Sequence, residues 1–396
     1  MKILYVCQRV PFPPDRGDKI ASFNAIRHLA TRHEVTVATL ADSEEELAHA
    51  RSLEEQGFKV LVAHRSPLHA KLSALAALAT RTPLSVAHYA SRRLEQLIRG
   101  AACRVKFDLV VSFCSSMAQY ADALPDVPQI VDFVDLDSQK WALYASYTPW
   151  PKSWIYRLES RRLVRYEKVL ASRALFTLVR TEPERQDCLR LLGEGRFEVL
   201  ANGVDLDYFR PDSEKIPSSE LVFTGIMDYF PNVQAVQFFC RDILPLVQEV
   251  VPDVRFTIVG ARPIQSVLEL GSLAGVTVTG RVPDVRPYLQ QAAVAVVPLK
   301  LARGIQNKVL EAMAMATPVV ATKAAFRGIA TGGHHGVAVC DEPRHFAEAI
   351  NRFLKDPDAR AEAGCLGRQF VERNFVWDKQ LAKLDEVIDR AVRTTV

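Results

Sequence analysis

The chain contains 396 residues, of which 48% are apolar and 24% charged, and its formal net charge is +4. A single hydrophobic core stops growing at roughly 250–300 residues, so this length predicts two domains. The composition excludes a disordered, collagen-like or low-complexity chain. The longest stretch without a charged residue has 13 residues, fewer than the ~20 apolar residues that span a bilayer. The seven cysteines include no CxxC pair, which argues against a disulfide framework or a zinc site. The first apolar run is too short for a signal peptide, so we expect a soluble, cytosolic protein.

The small net charge conceals an uneven distribution. Residues 1–200 contain 28 basic and 23 acidic side chains, whereas residues 201–396 contain 22 and 23. The first half therefore carries +5 and the second half −1. A basic surface that binds a partner is expected in the first half.

Short apolar runs alternate with helical patterns from the N-terminus onward. Lys2–Cys7 is rich in Ile, Val and Tyr, which is typical of a strand buried on both faces. From Lys19 onward, apolar residues recur every third position, as in an amphipathic helix. Further strands of this first set are predicted at Val35–Leu40, Lys59–Ala63, Leu109–Phe113 and Ile130–Val134. Strand, helix and strand in succession indicate βαβ units on a parallel sheet.

A second set of strands and helices follows residue 220. Its strands are predicted at Leu221–Thr224, Arg255–Val259, Val276–Thr279, Val294–Pro298, Val319–Thr322 and Val337–Val339. Between the sets, residues 202–219 contain Asn-Gly and Arg-Pro and are polar, which suits a hinge. The sequence therefore predicts an α/β protein with two doubly wound Rossmann-like domains facing a cleft, at residues 1–205 and 206–376. A last helix, within residues 377–396, can pack on either domain.

Two loops after predicted strands have features of an anion site. In the first, Gly17 and Lys19 lie at the start of a helix, where backbone N–H groups attract an anion. The alternative is a tight turn in which Gly17 adopts a positive φ. In the second, Arg303, Gly304 and Asn307 precede or begin a helix, with Lys308 and Glu311 three residues apart on one face. An ammonium at a helix N-terminus suits a diphosphate, and a carboxylate one turn on can accept ribose hydroxyls. The alternative is a surface ion pair.

A third loop, Gly280 to Val285, can offer the Arg281 side chain to a phosphate and the backbone of Val282 to a nucleobase. A plain turn between a strand and a helix is the alternative reading. No GxGxxG fingerprint occurs, which weakens a nicotinamide or flavin assignment.

Three carboxylates, Asp132, Asp135 and Asp137, lie near the end of a predicted strand. If the strand continues, Asp135 and Asp137 share a side, where they can act as a base or orient substrate hydroxyls. The alternative is that Asp137 or Ser138 caps the next helix. No histidine joins this cluster, so a metal site is not expected.

Five segments in the usual order resemble GT-B fold glycosyltransferases of the family 4 type. They are NGVD with FRP at residues 202–211, FTGIMDYFPN at 223–232, FTIVG at 256–260, EAMA at 311–314 and TPVVAT at 317–322. Residues 132–141 and 303–308 are similar to one branch, the sugar transferases of bacterial exopolysaccharide loci associated with the PEP-CTERM/exosortase system.

The resemblance implies a metal-independent, retaining hexosyltransferase that uses a UDP- or GDP-linked sugar as co-substrate and needs no cofactor. It implies a donor site on the C-terminal domain, with Gly225 in its first loop and Glu311 on the donor ribose. Family members often have a carboxylate eight residues before that glutamate. Here Arg303 stands at this position, so Arg303 and Lys308 are expected to neutralise the diphosphate. Gly17 matches a family loop near the phosphates, in which Asp18 replaces a frequent second glycine. A common N-terminal histidine is also missing, and Asp135 is the nearest candidate by position.

A basic and aromatic stretch accounts for the charge of the first half. Residues 152–173 contain seven Lys and Arg against two Glu. Its proposed membrane- or acceptor-facing residues are Trp150, Trp154, Arg157, Arg161, Arg162 and Arg165. Aromatic and basic residues together suit an anionic bilayer, whereas the alternative is a solvated helix face with aromatics in the core. Nucleic acid is disfavoured, because no recognised binding module accompanies the stretch.

The sequence therefore predicts a cytoplasmic enzyme at the inner face of the plasma membrane, with a lipid-linked or oligosaccharide acceptor. Two other classes stay open: a sugar-nucleotide epimerase on the same fold, and a catalytically silent nucleotide-sugar-binding subunit.

Overall fold

The computed structural model describes residues 1–212, 219–329, 332 and 334–395. The chain forms two compact units. The N-terminal unit comprises Met1–Ala201 and Gln380–Val396, and the C-terminal unit comprises Asn202–Lys379. The first division lies slightly before the boundary that the sequence places after residue 205. Part of the expected hinge, residues 213–218, lies outside the described residues.

The N-terminal unit is built on a seven-stranded sheet in which all neighbouring strands are parallel, in the order β3-β2-β1-β4-β5-β6-β7. The strands are β1 (Lys2–Cys7), β2 (Glu34–Ala41), β3 (Lys59–His64), β4 (Leu109–Phe113), β5 (Gln129–Val134), β6 (Phe176–Val179) and β7 (Phe197–Val199). The first five lie where the sequence predicts them. The strands β6 and β7 were not predicted, because their apolar runs are too short to be distinguished from the helices beside them.

Helices connect these strands. They are α1 (Gly17–Ala30), α2 (Glu44–Glu55), α3 (Pro67–Ala76), α4 (Leu84–His88), α5 (Arg92–Ala102), α6 (Asp137–Tyr147), α7 (Lys152–Arg173) and α8 (Glu182–Leu192). Short 3₁₀ segments lie at Ala77–Ala79 and Ser115–Ala123. The core includes Leu4 and Val6 of β1 with Leu94 and Ile98 of α5, all fully buried.

The C-terminal unit has a six-stranded parallel sheet in the order β10-β9-β8-β11-β12-β13. Its strands are β8 (Glu220–Thr224), β9 (Arg255–Val259), β10 (Val276–Gly280), β11 (Val294–Val297), β12 (Val319–Ala321) and β13 (Val337–Val339). All six were predicted. Its helices are α9 (Phe230–Phe238), α10 (Leu244–Gln248), α11 (Gln265–Leu268), α12 (Arg286–Gln291), α13 (Asn307–Ala314), α14 (Lys323–Phe326), α15 (Pro343–Lys355) and α16 (Pro357–Asn374). A π-helical turn at Phe239–Ile243 precedes α10, and a 3₁₀ segment at Glu269–Ser272 follows α11.

The last helix, α17 (Trp377–Thr395), ends in the N-terminal unit. The apolar stripe that the sequence shows is buried there, at Leu381, Leu384, Val387, Ile388 and Ala391. The Asp385 carboxylate lies 3.0 Å from His28 Nε2 and 2.9 Å from Arg32 Nη1, both near the end of α1. Of the helices in the described residues, none is both long and apolar enough to cross a membrane.

Both sheets are doubly wound, and each has a point where the strand order reverses. In the first sheet this point lies between β1 and β4, and in the second it lies between β8 and β11. Open α/β sheets bind ligands at the carboxyl ends of the strands at such points. In the second sheet, the loops after β8 and β11 are therefore the places to look for a site.

Candidate functional site

The loop after β11 ends in an open helix N-terminus. Gly304 has a φ of +62°, a left-handed conformation that glycine adopts with little strain. The side chain of Gln306, the N-cap residue of α13, donates to the carbonyl of Arg303 at 2.9 Å and does not cap the helix. Because the N-cap side chain leaves them free, the first backbone N–H groups of α13 are suited to an anionic ligand.

Lys308, in the first turn of α13, is held by residues from β8 and α9. Its Nζ donates to Asn232 Oδ1 at 2.8 Å and lies 4.9 Å from the ring centroid of Phe223. The Asn232 amide is fixed in turn, because its Nδ2 donates to the carbonyl of Ile226 at 2.9 Å. Burial lowers the pKa of Lys308 to about 8, although the Glu311 carboxylate opposes this change. The ammonium is thus fixed in place and poorly solvated, so an added anion would stabilise it.

Glu311 lies about one turn further along α13, and its side chain is half-buried. Burial raises the pKa of Glu311 to about 7, and the nearby Lys308 ammonium only partly offsets this effect. Its carboxylate accepts no hydrogen bond from any residue in the described part of the chain. A carboxylate that lacks hydrogen-bond donors is well suited to accept two hydroxyl groups of a ligand.

Close backbone approach behind Lys308 depends on two glycines. A Cβ added to Gly260 would lie only 1.6 Å from the carbonyl oxygen of Gly225. A Cβ added to Gly225 would lie 2.7 Å from Asn232 Nδ2 and 3.2 Å from Lys308 Nζ. The loop after β8 can therefore reach the Lys308 ammonium only because both positions lack a side chain.

The other predicted donor-binding residues of this unit lie in the same two loop regions or in the loop after β10. Arg303 is half-buried, and Asn307 Oδ1 accepts a hydrogen bond from Asn202 Nδ2 at 3.0 Å. Arg281 is exposed and Val282 is half-buried, directly after Gly280, whose φ is +70°. Among the described residues, the Arg281 side chain forms no hydrogen bond with Lys308 or Glu311.

The predicted loop residues of the N-terminal unit lie at the start of α1. Gly17 is the first residue of this helix and its φ is not positive, so the tight-turn alternative is wrong. Asp18 forms ion pairs with Arg9 at 2.8 Å and with Arg16 at 2.7 Å. Burial alone would raise the pKa of Asp18, but these two guanidinium groups lower it. Lys19 is buried, and its Nζ lies 3.8 Å from the Asp15 carboxylate.

The acidic cluster is arranged differently from what strand alternation predicts. β5 ends at Val134, which has a φ of +62°, so Asp135 and Asp137 do not continue the strand. Asp135 is half-buried just after the strand, and Asp137 is the first residue of α6. The helix-cap alternative is also wrong, because the N-cap is Leu136 and the Ser138 N–H donates to Glu167 Oε1 at 3.0 Å. Glu167, from α7, therefore performs the capping role.

Asp132 belongs to a buried ion pair that sequence reasoning missed. Its carboxylate accepts a hydrogen bond from Arg180 Nη2 at 2.6 Å, and both side chains are buried. Arg180 Nη1 donates to the carbonyl of Leu200 at 2.8 Å. This pair joins the ends of β5, β6 and β7, which points to a structural role. Among the described residues, no group of three or more His, Cys, Asp or Glu could hold a metal ion.

The side chains of the basic and aromatic stretch are partly half-buried and partly exposed. Trp141 packs against Tyr144 and Tyr156, with ring centroids 5.9 and 5.0 Å apart. Trp150 and Trp154, in contrast, are 81% and 56% exposed. The arginines Arg157, Arg161 and Arg165 are exposed along α7, whereas Arg162 is not. The Arg162 guanidinium donates to the carbonyls of Ala77, Leu78 and Thr82.

Comparisons with known proteins agree with this geometry. Residues 218–356 match the family model described as "Glycosyl transferases group 1", and this segment includes Lys308 and Glu311. The C-terminal unit therefore carries a group 1 glycosyl transferase domain. A comparison with curated protein sequences finds no match.

Solved structures resemble the whole chain. Sucrose-phosphate synthase from Thermosynechococcus elongatus is 16% identical, with a TM-score of 0.77 and full coverage of both chains. Anabaena HepE in complex with UDP-glucose is 16% identical, with a TM-score of 0.68, and the match covers 98% of this chain and 100% of that one. Staphylococcus aureus TarM, in a complex that contains UDP, is 9% identical with a TM-score of 0.68, and the match covers 98% and 99%. The two parallel-sheet units therefore have the GT-B fold, and together with the matched domain they support a glycosyltransferase.

Asn232, which orients Lys308, was also missed as a site residue. It lies 76 positions before Lys308 in the sequence. The sequence does show an amide side chain in the first turn of the helix after β8. This turn lies at the same edge of the sheet as the loop after β11, so Asn232 could have been proposed as a neighbour of Lys308.

Proposed function

We propose that the chain is a retaining hexosyltransferase that transfers sugar from a nucleoside diphosphate sugar to a lipid-linked saccharide. We place it with the family 4 type and with the PEP-CTERM/exosortase-associated enzymes of bacterial exopolysaccharide biosynthesis. One observation carries the donor assignment. Within the matched domain, the Lys308 ammonium lies in the first turn of the uncapped helix α13, with the Glu311 carboxylate one turn further.

In this proposal, the donor diphosphate binds at the N-terminus of α13. Lys308 and Arg303 neutralise its charge, and the N–H groups at the start of the helix donate to its oxygens. Glu311 accepts hydrogen bonds from two ribose hydroxyls, which favours its ionised form. Gly225, Gly304 and the backbone after β10 allow the nucleotide to approach closely. Anabaena HepE has been solved with UDP and with UDP-glucose, so UDP-linked sugars come first in any donor panel.

The same groups explain how transfer is accelerated. The departing nucleoside diphosphate gains negative charge as the glycosidic bond breaks. Lys308, Arg303 and the N-terminus of α13 stabilise that charge more in the transition state than in the ground state. These fixed positive groups take the part that a metal ion plays in other transferases, so we propose a metal-independent reaction. Asp135 is proposed to orient a substrate hydroxyl from the N-terminal unit.

The acceptor assignment depends on exposed residues of α7 and of the turn before it. Trp150, Trp154, Arg157, Arg161 and Arg165 suit the surface of an anionic membrane, where a lipid-linked saccharide is found. We therefore propose peripheral attachment at the cytoplasmic face of the plasma membrane.

A donor panel tests the function. UDP- and GDP-linked hexoses are incubated with the protein, with and without lipid-linked saccharides extracted from an exopolysaccharide-producing bacterium. We expect a lipid-linked product only when both donor and acceptor are present. NMR of this product should show that the anomeric configuration of the donor sugar is retained. Addition of a metal chelator should not change the rate of product formation. Isomerised nucleotide sugar without acceptor would indicate an epimerase instead. Tight donor binding without any product would indicate a silent binding subunit.

A further inference from the structure

Helix α3 presents an apolar face to solvent. Leu68, Leu72 and Leu75 are 68%, 55% and 61% exposed, and their spacing of four and three residues places them on one side of the helix. Lys71, which is also exposed, lies beside them. Single exposed leucines are common, but three aligned on one helix face form an apolar patch that marks an interaction surface.

The surroundings of this face are basic. From Gln56 to Leu94 the sequence contains six Lys and Arg and no Asp or Glu. Two of the six, Lys59 and Arg65, form ion pairs with carboxylates outside this segment. The other four are exposed: Lys71, Arg81, Arg92 and Arg93. An apolar helix face in a positively charged segment complements an anionic membrane, because the headgroups attract the cations and the acyl chains accept the leucines.

Helix α7 adds a second basic surface, and the structure shows that its exposed charge is entirely positive. Its two acidic residues, Glu159 and Glu167, are 1% and 0% exposed. Glu159 accepts hydrogen bonds from the backbone N–H groups of Leu84 and Ser85, and Glu167 accepts one from Ser138. The exposed charged residues of the helix are Lys152, Arg157, Arg161, Arg165, Lys168 and Arg173.

Two of the inward-facing residues of α7 join it to the segment around α3. The Arg162 guanidinium donates to the carbonyl of Ala77, the residue directly after α3, at 2.7 Å. Glu159 binds the N-terminus of α4, the next helix along the chain. These contacts fix the end of α3 against the middle of α7. The exposed leucines and the exposed arginines therefore belong to two helices that are joined by these contacts.

The end of α6, the turn after it and the start of α7 contribute aromatic side chains to this region. Tyr147, Trp150 and Trp154 are 49%, 81% and 56% exposed. Tryptophan and tyrosine favour the boundary between headgroups and acyl chains, because their rings are apolar and carry one polar group.

We propose that α3 is the membrane-inserting element of this protein, with Leu68, Leu72 and Leu75 in the acyl region. The basic residues of α7 bind anionic headgroups beside it, and Trp150 and Trp154 lie at the interface. Arg162 and Glu159 bind no lipid and instead hold α3 and α4 on α7. This inference rests on the proposed function only in its choice of a membrane as partner.

Vesicle flotation with the full chain tests the proposal. The probes are vesicles of phosphatidylcholine alone and of phosphatidylcholine with phosphatidylglycerol in equal parts. We expect binding to the anionic vesicles only, weakened by salt. Changing Leu68, Leu72 and Leu75 together to Gln, which keeps helix propensity, should weaken binding at least about 100-fold. The matched control changes the exposed leucines Leu189, Leu268 and Leu273 to Gln and should leave binding unchanged.

The basic contribution is tested separately. Changing Arg157, Arg161 and Arg165 to Gln should weaken binding by about fivefold for each residue. The control changes Arg241, Arg327 and Arg344, which are exposed on the C-terminal unit. Brominated lipids in the anionic vesicles should quench tryptophan fluorescence, and Trp150→Phe with Trp154→Phe should remove this quenching.

Several outcomes would overturn the proposal. The first is that the wild type does not bind anionic vesicles at low salt. The second is that the triple leucine variant binds as well as the wild type. The third is that the wild type self-associates and that the leucine changes convert it to a monomer without affecting flotation. Thermal melting and UDP titration of each variant establish that the fold and the nucleotide site persist. Lys308→Met should weaken UDP binding by roughly 10- to 150-fold yet leave flotation intact. Failure of the membrane surface is therefore distinguishable from failure of the proposed activity.

Discussion

The Lys308 ammonium is expected to supply a large part of the affinity for the donor diphosphate. Lys308→Met keeps the length of the side chain and removes its charge and its hydrogen bond to Asn232. Hydrogen bonds to charged groups contribute about 1.5–3 kcal/mol, so UDP affinity should fall by roughly 10- to 150-fold. Turnover should fall by about 10²–10³-fold, as it does when one preorganised electrostatic group is lost.

The control for this change is Lys300→Met. The Lys300 ammonium also lies over an aromatic ring, 3.5 Å from the centroid of Phe238, but this residue is exposed and lies outside α13. Isothermal titration with UDP measures affinity, and melting temperature measures the fold. Lys308→Met should not lower the melting temperature, because burial disfavours the charged form of Lys308 and methionine relieves that cost. UDP affinity equal to that of the wild type would show that the Lys308 ammonium does not bind the diphosphate.

Three further changes probe the site and the fold. UDP-glucose affinity, measured by titration across pH, should be highest between about pH 7 and 8, because Glu311 loses its charge below this window and Lys308 loses its charge above it. Glu311→Gln should abolish the acidic decline and should move the alkaline decline to lower pH, because the Glu311 carboxylate raises the pKa of Lys308. An unchanged profile would contradict the assignment. Gly260→Ala should destabilise the fold by about 3 kcal/mol, because the new Cβ would lie 1.6 Å from the Gly225 carbonyl oxygen. The control is Gly271→Ala, whose Cβ would lie 3.7 Å from Val278 and which should melt like the wild type. Arg180→Met should lower the free energy of unfolding in urea by about 3–5 kcal/mol, because it leaves the Asp132 carboxylate buried and unpaired. Adding Asp132→Leu should restore much of this stability. Equal stability of Arg180→Met and the wild type would rule out the pairing.

The sheets could be predicted because their strands are continuous apolar runs. Strands such as Lys2–Cys7 and Arg255–Val259 are buried on both faces, and most of their residues are therefore apolar. The stripe of α17 was equally visible. The α13 constellation could also be found, because Gly304, Lys308 and Glu311 are close in sequence and follow a strand.

Contacts between distant parts of the chain could not be predicted. The net charge of residues 152–173 includes Glu159 and Glu167, although both side chains are buried and add nothing to the exposed charge. Their burial depends on hydrogen bonds from backbone N–H groups of two other helices, which the sequence does not show. The sequence predicts that Arg162 is a surface cation, whereas its guanidinium donates to the carbonyl of Ala77, directly after α3. Similarly, the strand alternation expected for Asp135 failed because Val134 turns the chain away from the sheet. Each of these features depends on which segments meet in the fold, which local patterns do not encode.

A crystal structure of the protein with bound UDP would show whether the N-terminus of α13 is the donor site. We expect the diphosphate within hydrogen-bonding distance of Lys308 Nζ and of the first N–H groups of α13, with both ribose hydroxyls on the Glu311 carboxylate. UDP bound elsewhere on the chain, or a ribose that leaves Glu311 uncontacted, would contradict it.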